Sequence, residues 1–481
     1  MCRIIIIIMA LLVAVPELAV AQKGQQRRMV EQSWIGVVEL AITHHDKGST
    51  ETYSLRLADF TGVNLAGNSK DWQPWLHRKV QITGVIQESS LTASSIVALD
   101  STQSSKQLWD NQPTLPAGVY EWDIEPQKFW LSDQNFLTTP PPTHYTRGVY
   151  VVRFRFSDFD VPEKQPAELA ENFFGSDWQS VSLKKFWEKK VGVFGIQGEV
   201  YPQVLTIPFT KAYCAEQSRI YNECSNWVIN YLTTTVGVNL DSKSLVFVFP
   251  PHNDTTGGTA TVGPKGDQSY FGRIWLPLRS TVPTKILLIA AHELGHNLGL
   301  NHSGVLSTDG TIYDAFDQAD IMASGELAGP NIYVRLMMGW FNGRLTTISG
   351  PTGPQGQWVR IQPADSWGKT SKGVLIQLQD SNGVLSPEYR FLEFSPYRPP
   401  YNDYASNYRF WGSSMVLRKG NADMIPWQSR PLILDCGSNP SPSDAPCQPG
   451  QAWVEPQYGL RIDFYGTSAS GGLLAKVTLT Q

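Results

Sequence analysis

Three histidines and one glutamate stand at a spacing that suits metal-assisted hydrolysis. His292 and His296 are four residues apart, so on an α-helix both imidazoles would face one side and could reach one ion. Glu293 would lie about 100° round that helix, beside the same face. Gly299 can adopt the left-handed conformation that ends a helix, after which the chain would bring His302 back towards the other two histidines. Three imidazoles with an open fourth position predict a catalytic zinc site.

The glutamate indicates what chemistry this site would perform. The three imidazoles already form a ligand set, so the carboxylate of Glu293 is not needed to hold the metal. It would accept a proton from zinc-activated water, which attacks a polarised carbonyl, and would then pass the proton to the leaving amine. We therefore predict a zinc endopeptidase with Glu293 as general base. A buried helix with unrelated polar residues is the alternative, and it does not account for the full spacing.

The extended motif from His292 to His302 resembles that of the metzincin zinc endopeptidases. In that superfamily a methionine in a tight downstream turn packs beneath the zinc. The resemblance gives this place to Met322, twenty residues after His302. Some metzincins carry an additional tyrosine ligand two positions after the methionine. Ser324 occupies that position here, so no fifth ligand is expected.

Within the metzincins, residues 148 to 345 are similar to the gametolysin family, which is associated with algal cell-wall lysis. The resemblance implies a metzincin-like α/β (α+β) catalytic domain with a mixed sheet and a zinc helix. It also implies protein or glycoprotein substrates in a cell wall or extracellular matrix. The segments that carry it are, in chain order, Phe156-Ser157-Asp158, Asn172-Phe173-Phe174-Gly175, Ser180-Val181, Val246–Pro250, Gly258–Pro264, the zinc motif, Tyr313-Asp314 and Met338-Gly339-Trp340.

The same resemblance implies that the residues before the catalytic segment form a propeptide, which would make the protein a zymogen. Some secreted metzincins are kept latent by a propeptide cysteine bound to the zinc. Residues 22 to 146 contain no cysteine. Latency in this chain would therefore need another mechanism, or it does not exist.

Length and composition predict an exported protein of several domains. The chain has 481 residues, too many for one core. Its net charge is -4 and Lys and Arg form no long runs, which argues against nucleic acid or an anionic membrane as partner.

The N-terminus is typical of a signal peptide cleaved before Gln22. It contains Arg3, the apolar run Ile4–Val15 and the small residues Ala19-Val20-Ala21. No other apolar run is long enough to cross a bilayer, so the mature chain is expected to be secreted.

Cysteine usage agrees with an oxidising compartment. Beyond the signal segment the chain has Cys214, Cys224, Cys436 and Cys447, an even number that allows three pairings. The local pairs Cys214–Cys224 and Cys436–Cys447 are the simplest. Continuous helix between the first two would hold them about 15 Å apart, so that pairing predicts a loop there and a helix from about Ser225. A four-cysteine zinc site is the alternative, but the CxxC spacing is missing.

Hydrophobic patterning divides the chain into segments. Strands alternate with helices in the catalytic segment, whereas short alternating strands dominate on either side of it. The strand around Gly272–Leu276 is expected to be an edge strand that pairs with extended substrate. The predicted segments are a signal peptide (1–21), a β-rich propeptide-like domain folded as a small barrel or sandwich (22–110), a linker (111–147), the catalytic domain (148–345) and a C-terminal antiparallel β-sandwich (346–481).

Two further binding sites have weaker support. Asp314, Asp317 and Asp320 could bind calcium, although their spacing is more typical of turn residues that hydrogen-bond nearby backbone. The C-terminal domain could bind carbohydrate through exposed tryptophans, although core packing is the favoured use of these side chains. They are Trp358, Trp367, Trp411, Trp427 and Trp453.

Two rival functions remain open. The first is a catalytically inactive, zinc-containing extracellular binding or matrix protein. The intact Glu293 argues against it, because zinc binding does not require that residue. The second is a zinc hydrolase that does not act on peptides, which a peptide-cleavage assay would distinguish.

Overall fold

The structure is a computed structural model that describes residues 32–99 and 145–480, except for segments within these ranges. The longest such segments are 363–370, 395–414, 422–431 and 437–446. The predicted signal peptide and most of the predicted linker lie outside the described residues. Among the described residues, no helix is long and apolar enough to cross a membrane.

The first five strands close into a barrel. β1 pairs with β2 along one edge and with β4 along the other, and a parallel β3–β5 pair completes the ring β1-β2-β3-β5-β4. Alternate side chains such as Val38, Leu55 and Ile82 fill the interior. Of the two folds that the sequence left open here, the structure has the barrel. Its elements are β1 (Gln32–His45), β2 (Gly48–Arg56), β3 (Gly62–Leu65), helix α1 (Ser69–Trp72), β4 (Lys79–Gln87) and β5 (Ser90–Ala98).

The next strands form a mixed sheet with the order β7-β6-β8-β10-β9, in which only β9 is antiparallel to its neighbour β10. The strands are β6 (Tyr145–Arg155), β7 (Phe194–Thr206), β8 (Lys243–Phe249), β9 (Thr259–Val262) and β10 (Gly272–Pro277). The helices are α2 (Pro166–Phe174), α3 (Leu183–Val191), α4 (Lys211–Ala215), α5 (Glu223–Asn230) and α6 (Pro283–Asn297).

Helices cover both faces of this sheet. In β8, Val246 and Val248 point into the core shared with α2, α3 and α6. Leu245 and Phe247 point to the opposite face, into the core shared with α4 and α5. Because both faces are buried, this strand is a continuous apolar run, which is typical of parallel strands between helix layers.

The prediction that Gly272–Leu276 is an edge strand is wrong. Strand β10 lies between β8 and β9, and each of its residues is buried. The terminal strand of the mixed sheet is the short β9, and residues 40–43 of the barrel strand β1 pair with its outer edge. The barrel and the mixed sheet therefore form one continuous ten-stranded sheet. The order of strands in space does not follow their order in the chain, so the sequence pattern alone could not identify the edge.

The two disulfides are the local pairs, with Cα–Cα distances of 6.2 Å for Cys214–Cys224 and 4.9 Å for Cys436–Cys447. The loop expected between the first two cysteines is instead a broken helix. Helix α4 continues as a 3-10 turn, and α5 begins at Glu223 rather than near Ser225. Asn222, with φ -129° and ψ -92°, interrupts the helical path and lets the two cysteines approach each other.

The C-terminal strands form a sandwich of two sheets that share one core. The expectation of a purely antiparallel sandwich is wrong, since β11 pairs with β18 and β13 with β15 in parallel. The first sheet contains β11 (Gly304–Leu306), β12 (Ile312–Tyr313), β13 (Arg344–Ile348), β15 (Ser371–Gln379), β16 (Leu385–Phe394), β17 (Met415–Asn421) and β18 (Leu432–Leu434). The second contains β14 (Gln357–Ile361), β19 (Ala452–Glu455), β20 (Leu460–Thr467) and β21 (Leu473–Leu479).

This sandwich takes strands from the predicted catalytic segment. β11 and β12 precede the predicted boundary at residue 346, and the helix α7 (Ile332–Met337) lies between them and β13. The predicted domain boundaries stay predictions. Near residue 346, however, the packed sandwich includes strands that the sequence pattern assigned to the catalytic segment.

His77 is buried where the barrel meets the mixed sheet. Its ring lies edge-on to that of Tyr270 with 6.1 Å between the centroids, and its backbone amide donates to the carbonyl of Val38. Burial, together with the nearby charge of Arg56, lowers the pKa of His77 from 6.5 to about 3. Between these two pH values the unfolded chain binds a proton that the folded chain does not. Stability is therefore fully present above the unfolded pKa and falls as the pH drops towards the folded one.

We expect His77 to contribute about 1.4 kcal/mol per pH unit to the loss of stability on acidification. His77→Asn removes the titrating group, and asparagine tolerates the left-handed φ of 61° at this position. The free energy of unfolding in urea should then fall less steeply between about pH 6 and pH 4 than in the parent protein. Parallel curves for the two proteins would show that His77 is not the group responsible.

Candidate metal centre

The histidine motif lies at the end of α6. This helix is buried against the mixed sheet through Ala290, Ala291 and Leu294. The helix stops where the sequence predicts, because Gly299 has the left-handed φ of 91°. The amide of Leu300 then donates to the carbonyl of Gly295 at 3.0 Å, which satisfies one of the last carbonyls and reverses the chain.

The three histidines meet in one buried place. His292 is 7% exposed, His296 is fully buried and His302 is 1% exposed. One ring nitrogen from each lies within 4.8 Å of the others. Within the part of the chain that the structure describes, this is the one group of His, Cys, Asp or Glu side chains that has the geometry to hold a metal ion.

Backbone carbonyls fix two of these rings. His292 Nδ1 lies 2.8 Å from the carbonyl oxygen of Ile321, and His296 Nδ1 lies 2.8 Å from that of Leu300. A carbonyl can only accept, so each Nδ1 carries the hydrogen and each Nε2 keeps a lone pair that can bind a metal. Burial, and then the neighbouring His292 and His302, lower the pKa of His296 well below its usual range. Neutral imidazoles with a hydrogen-bonded second nitrogen are the donor set that zinc takes in proteins.

The turn that contains Met322 supports the site from below. Met322 is fully buried, and a β-carbon at Gly295 would overlap its sulfur, so the methionine packs directly against the backbone of α6. The carbonyl of Ile321 holds His292, and the carbonyl of Met322 accepts from the amide of Ser303 at 3.0 Å. Met322 and its turn therefore contact both α6 and the segment that carries His302.

Glu293 lies beside the histidines and is 1% exposed. Burial raises the pKa of its carboxyl well above the usual range. A β-carbon at Gly258 would overlap both the Glu293 carboxylate and the side chain of Ile289. Gly258 therefore lets the chain entering β9 approach the glutamate closely.

Asn297 is a supporting residue that sequence reasoning missed. Its side-chain amide donates to the carbonyls of Thr261 at 2.7 Å and Arg273 at 3.2 Å. These bonds attach the end of α6 to β9 and β10. A buried polar residue directly after His296 was the only available signal, and it does not reveal its partners.

Two of the three aspartates predicted as possible calcium ligands, Asp317 and Asp320, are bound by protein donors. Asp317 forms a buried ion pair with Arg418. Asp320 accepts from the hydroxyl of Ser303 at 2.7 Å and from the amide of Met322 at 2.9 Å. The contact of Asp320 with the Met322 amide agrees with the turn interpretation, whereas Asp317 pairs with a side chain from a distant strand. Asp314 lies outside the described residues, as does Ser324.

The tryptophans considered for sugar binding are not gathered on one described face. Trp358 is 57% exposed, with its ring 4.6 Å from that of Tyr465. Trp453 instead packs against the sandwich core, and its ring nitrogen donates to Glu455 at 2.7 Å. The other three, Trp367, Trp411 and Trp427, lie outside the described residues.

Comparison with known proteins gives no family. No family model and no curated protein matches the chain. Among solved structures, the chain is similar to the crystal structure of metalloproteinase-II from Bacteroides fragilis, with 10% identity over 64% of this chain and 91% of that one. The TM-score is 0.25, too low to establish a shared fold.

Proposed function

We propose that this protein is a secreted zinc metalloendopeptidase. The observation that carries the proposal is the buried set of three imidazole donors within 4.8 Å, with Glu293 on the helix that carries His292 and His296. The two disulfides agree with an exported protein, as does the predicted signal peptide. The gametolysin-like resemblance of residues 148 to 345 favours cell-wall or matrix proteins as substrates.

Each residue of the site would have a separate role in peptide hydrolysis. His292, His296 and His302 would hold zinc, which when bound supplies a Lewis acid that polarises a peptide carbonyl and activates water. Glu293 accepts the proton of the attacking water and returns it to the leaving nitrogen. The carbonyls of Ile321 and Leu300 keep the imidazoles of His292 and His296 oriented, and Met322 packs against the helix that carries both.

Metal removal tests this proposal. Protein recovered from the culture medium of an expressing host should contain about one zinc per chain and should cleave members of a mixed peptide library. A chelator should abolish cleavage and added zinc should restore it, whereas a serine-protease inhibitor should have no effect. Peptide products would be identified by mass spectrometry. Zinc-loaded protein with an accessible site that cleaves no peptide would overturn the proposal.

A further inference from the structure

The outer edge of β9 is occupied by the N-terminal barrel. One edge of β9 pairs with β10, and the other pairs in antiparallel fashion with residues 40–43 of β1. β1 pairs with β9 along the same edge that its residues 32–37 use to pair with β4, because β2 occupies the opposite edge of β1. Each of the two units thus covers a strand edge that the other would leave open.

Strand β9 itself runs alongside the helix that carries the candidate metal centre. Just before β9, Gly258 lies against Glu293. Just after it, the amide of Gly263 donates to the carbonyl of His296 at 2.8 Å. An extended peptide that reached the histidines and added to β9 as a further strand would need the backbone groups that residues 40–43 now use.

Buried polar contacts hold the barrel in this position. Glu39 of β1 lies 2.9 Å from Arg273 of β10 and 2.6 Å from Arg56 of the barrel, and both Glu39 and Arg273 are buried. The side chain of Asn226, on α5, exchanges two hydrogen bonds with the backbone of Gly62, at 3.0 and 3.1 Å.

Apolar packing also crosses the same boundary. Val262 of β9 belongs to the hydrophobic core of the barrel rather than to either core of the mixed sheet. Separating the two units would expose this side chain as well as the charges of Glu39 and Arg273. The contact between the barrel and the mixed sheet is therefore a buried interface with both apolar and charged groups.

We propose that the N-terminal barrel is an internal inhibitor that occupies the substrate-binding edge β9 with its own strand β1. This inference rests on the proposed peptidase function. It supplies a form of latency that needs no cysteine, in agreement with the lack of one in residues 22 to 146. It also implies that cleavage of the linker alone does not activate the enzyme. The barrel stays bound through β1, Glu39 and Asn226 until it dissociates or is degraded.

Two variants of the full chain test this inference without touching the metal centre. Glu39→Gln removes the carboxylate between two arginines, and Asn226→Ala removes both bonds to Gly62 from the other side of the boundary. Glu51→Gln is the matched control, since Glu51 is an exposed glutamate on β2 of the same barrel. Peptide cleavage, zinc content and amide hydrogen exchange of residues 259–262 would be measured for all of them.

In both docking variants we expect faster exchange at residues 259–262 with zinc content unchanged. We expect kcat/KM for a peptide to rise about 10-fold or more in Glu39→Gln, because one partner of a buried ion pair is lost. A rise of about 5-fold is expected in Asn226→Ala, which loses neutral hydrogen bonds, and none in Glu51→Gln.

If the edge opens and cleavage stays at the parent rate, the inhibition is disproved while the peptidase proposal stands. If zinc-loaded variants with an open edge cleave nothing, the peptidase proposal fails, and this inference fails with it.

Discussion

Glu293→Gln should leave zinc bound and should lower kcat for peptide cleavage by about 10²–10⁴-fold or more. The change keeps the size of a side chain that is 1% exposed, so the packing against Gly258 and Ile289 should survive. The metal should stay because the proposed ligands are imidazoles. The amide cannot accept the proton of the attacking water, so general-base catalysis is lost.

The measurements for this variant are zinc content, thermal unfolding and the rate of peptide cleavage. Unchanged zinc and unfolding together with a collapsed rate would place Glu293 in the chemical step. Near-native cleavage with zinc bound would mean that another group is the base. The variant also separates an enzyme from an inactive zinc-containing binding protein, since only the enzyme has a peptide-cleaving activity for this change to lower.

His296→Ala should lose the metal as well as the activity. His296 is fully buried, and its ring lies 4.9 Å from that of His292 and 5.0 Å from that of His302, measured between centroids. Its removal takes away one of three protein ligands. Zinc affinity should therefore fall by more than the roughly 10–100-fold that is typical when only a supporting hydrogen bond is lost.

Zinc titration of the dialysed His296→Ala protein provides the measurement. His77→Asn is a useful control, because it replaces a buried histidine that does not belong to the group of three and should keep its zinc. Unfolding of His296→Ala should no longer respond to added zinc, since binding and stability are coupled. Retention of parent-level zinc affinity would exclude His296 as a ligand.

The C-terminal sandwich is joined to the metal centre rather than merely following it in the chain. β11 begins two residues after His302 and pairs in parallel with β18. Arg418 of β17, also buried, forms ion pairs with Asp317 and, at 3.0 Å, with Glu393. The loop that carries the third histidine is therefore held by residues more than one hundred positions further along the chain.

The sequence by itself determined the features that depend on local geometry. A helix repeats every 3.6 residues, so the spacing of His292 and His296 places them on one face wherever the helix packs. Gly299 ends that helix because glycine takes a positive φ at little cost. Local disulfide pairing was likewise predictable, although the path between Cys214 and Cys224 was not.

The tertiary structure decided everything that depends on which strands become neighbours. Strand β9 is four residues long, too short to show a clear pattern. Its place at the edge of the mixed sheet, directly after the Gly258 that lies against Glu293, makes it the candidate substrate strand. The pairing of β1 with β9 joins residues more than two hundred positions apart, and so does the ion pair between Glu39 and Arg273. Such contacts are set by register and by the burial of complementary groups from distant segments. No spacing within either segment encodes them, which is why the proposed inhibitory contact could be seen only in the folded chain.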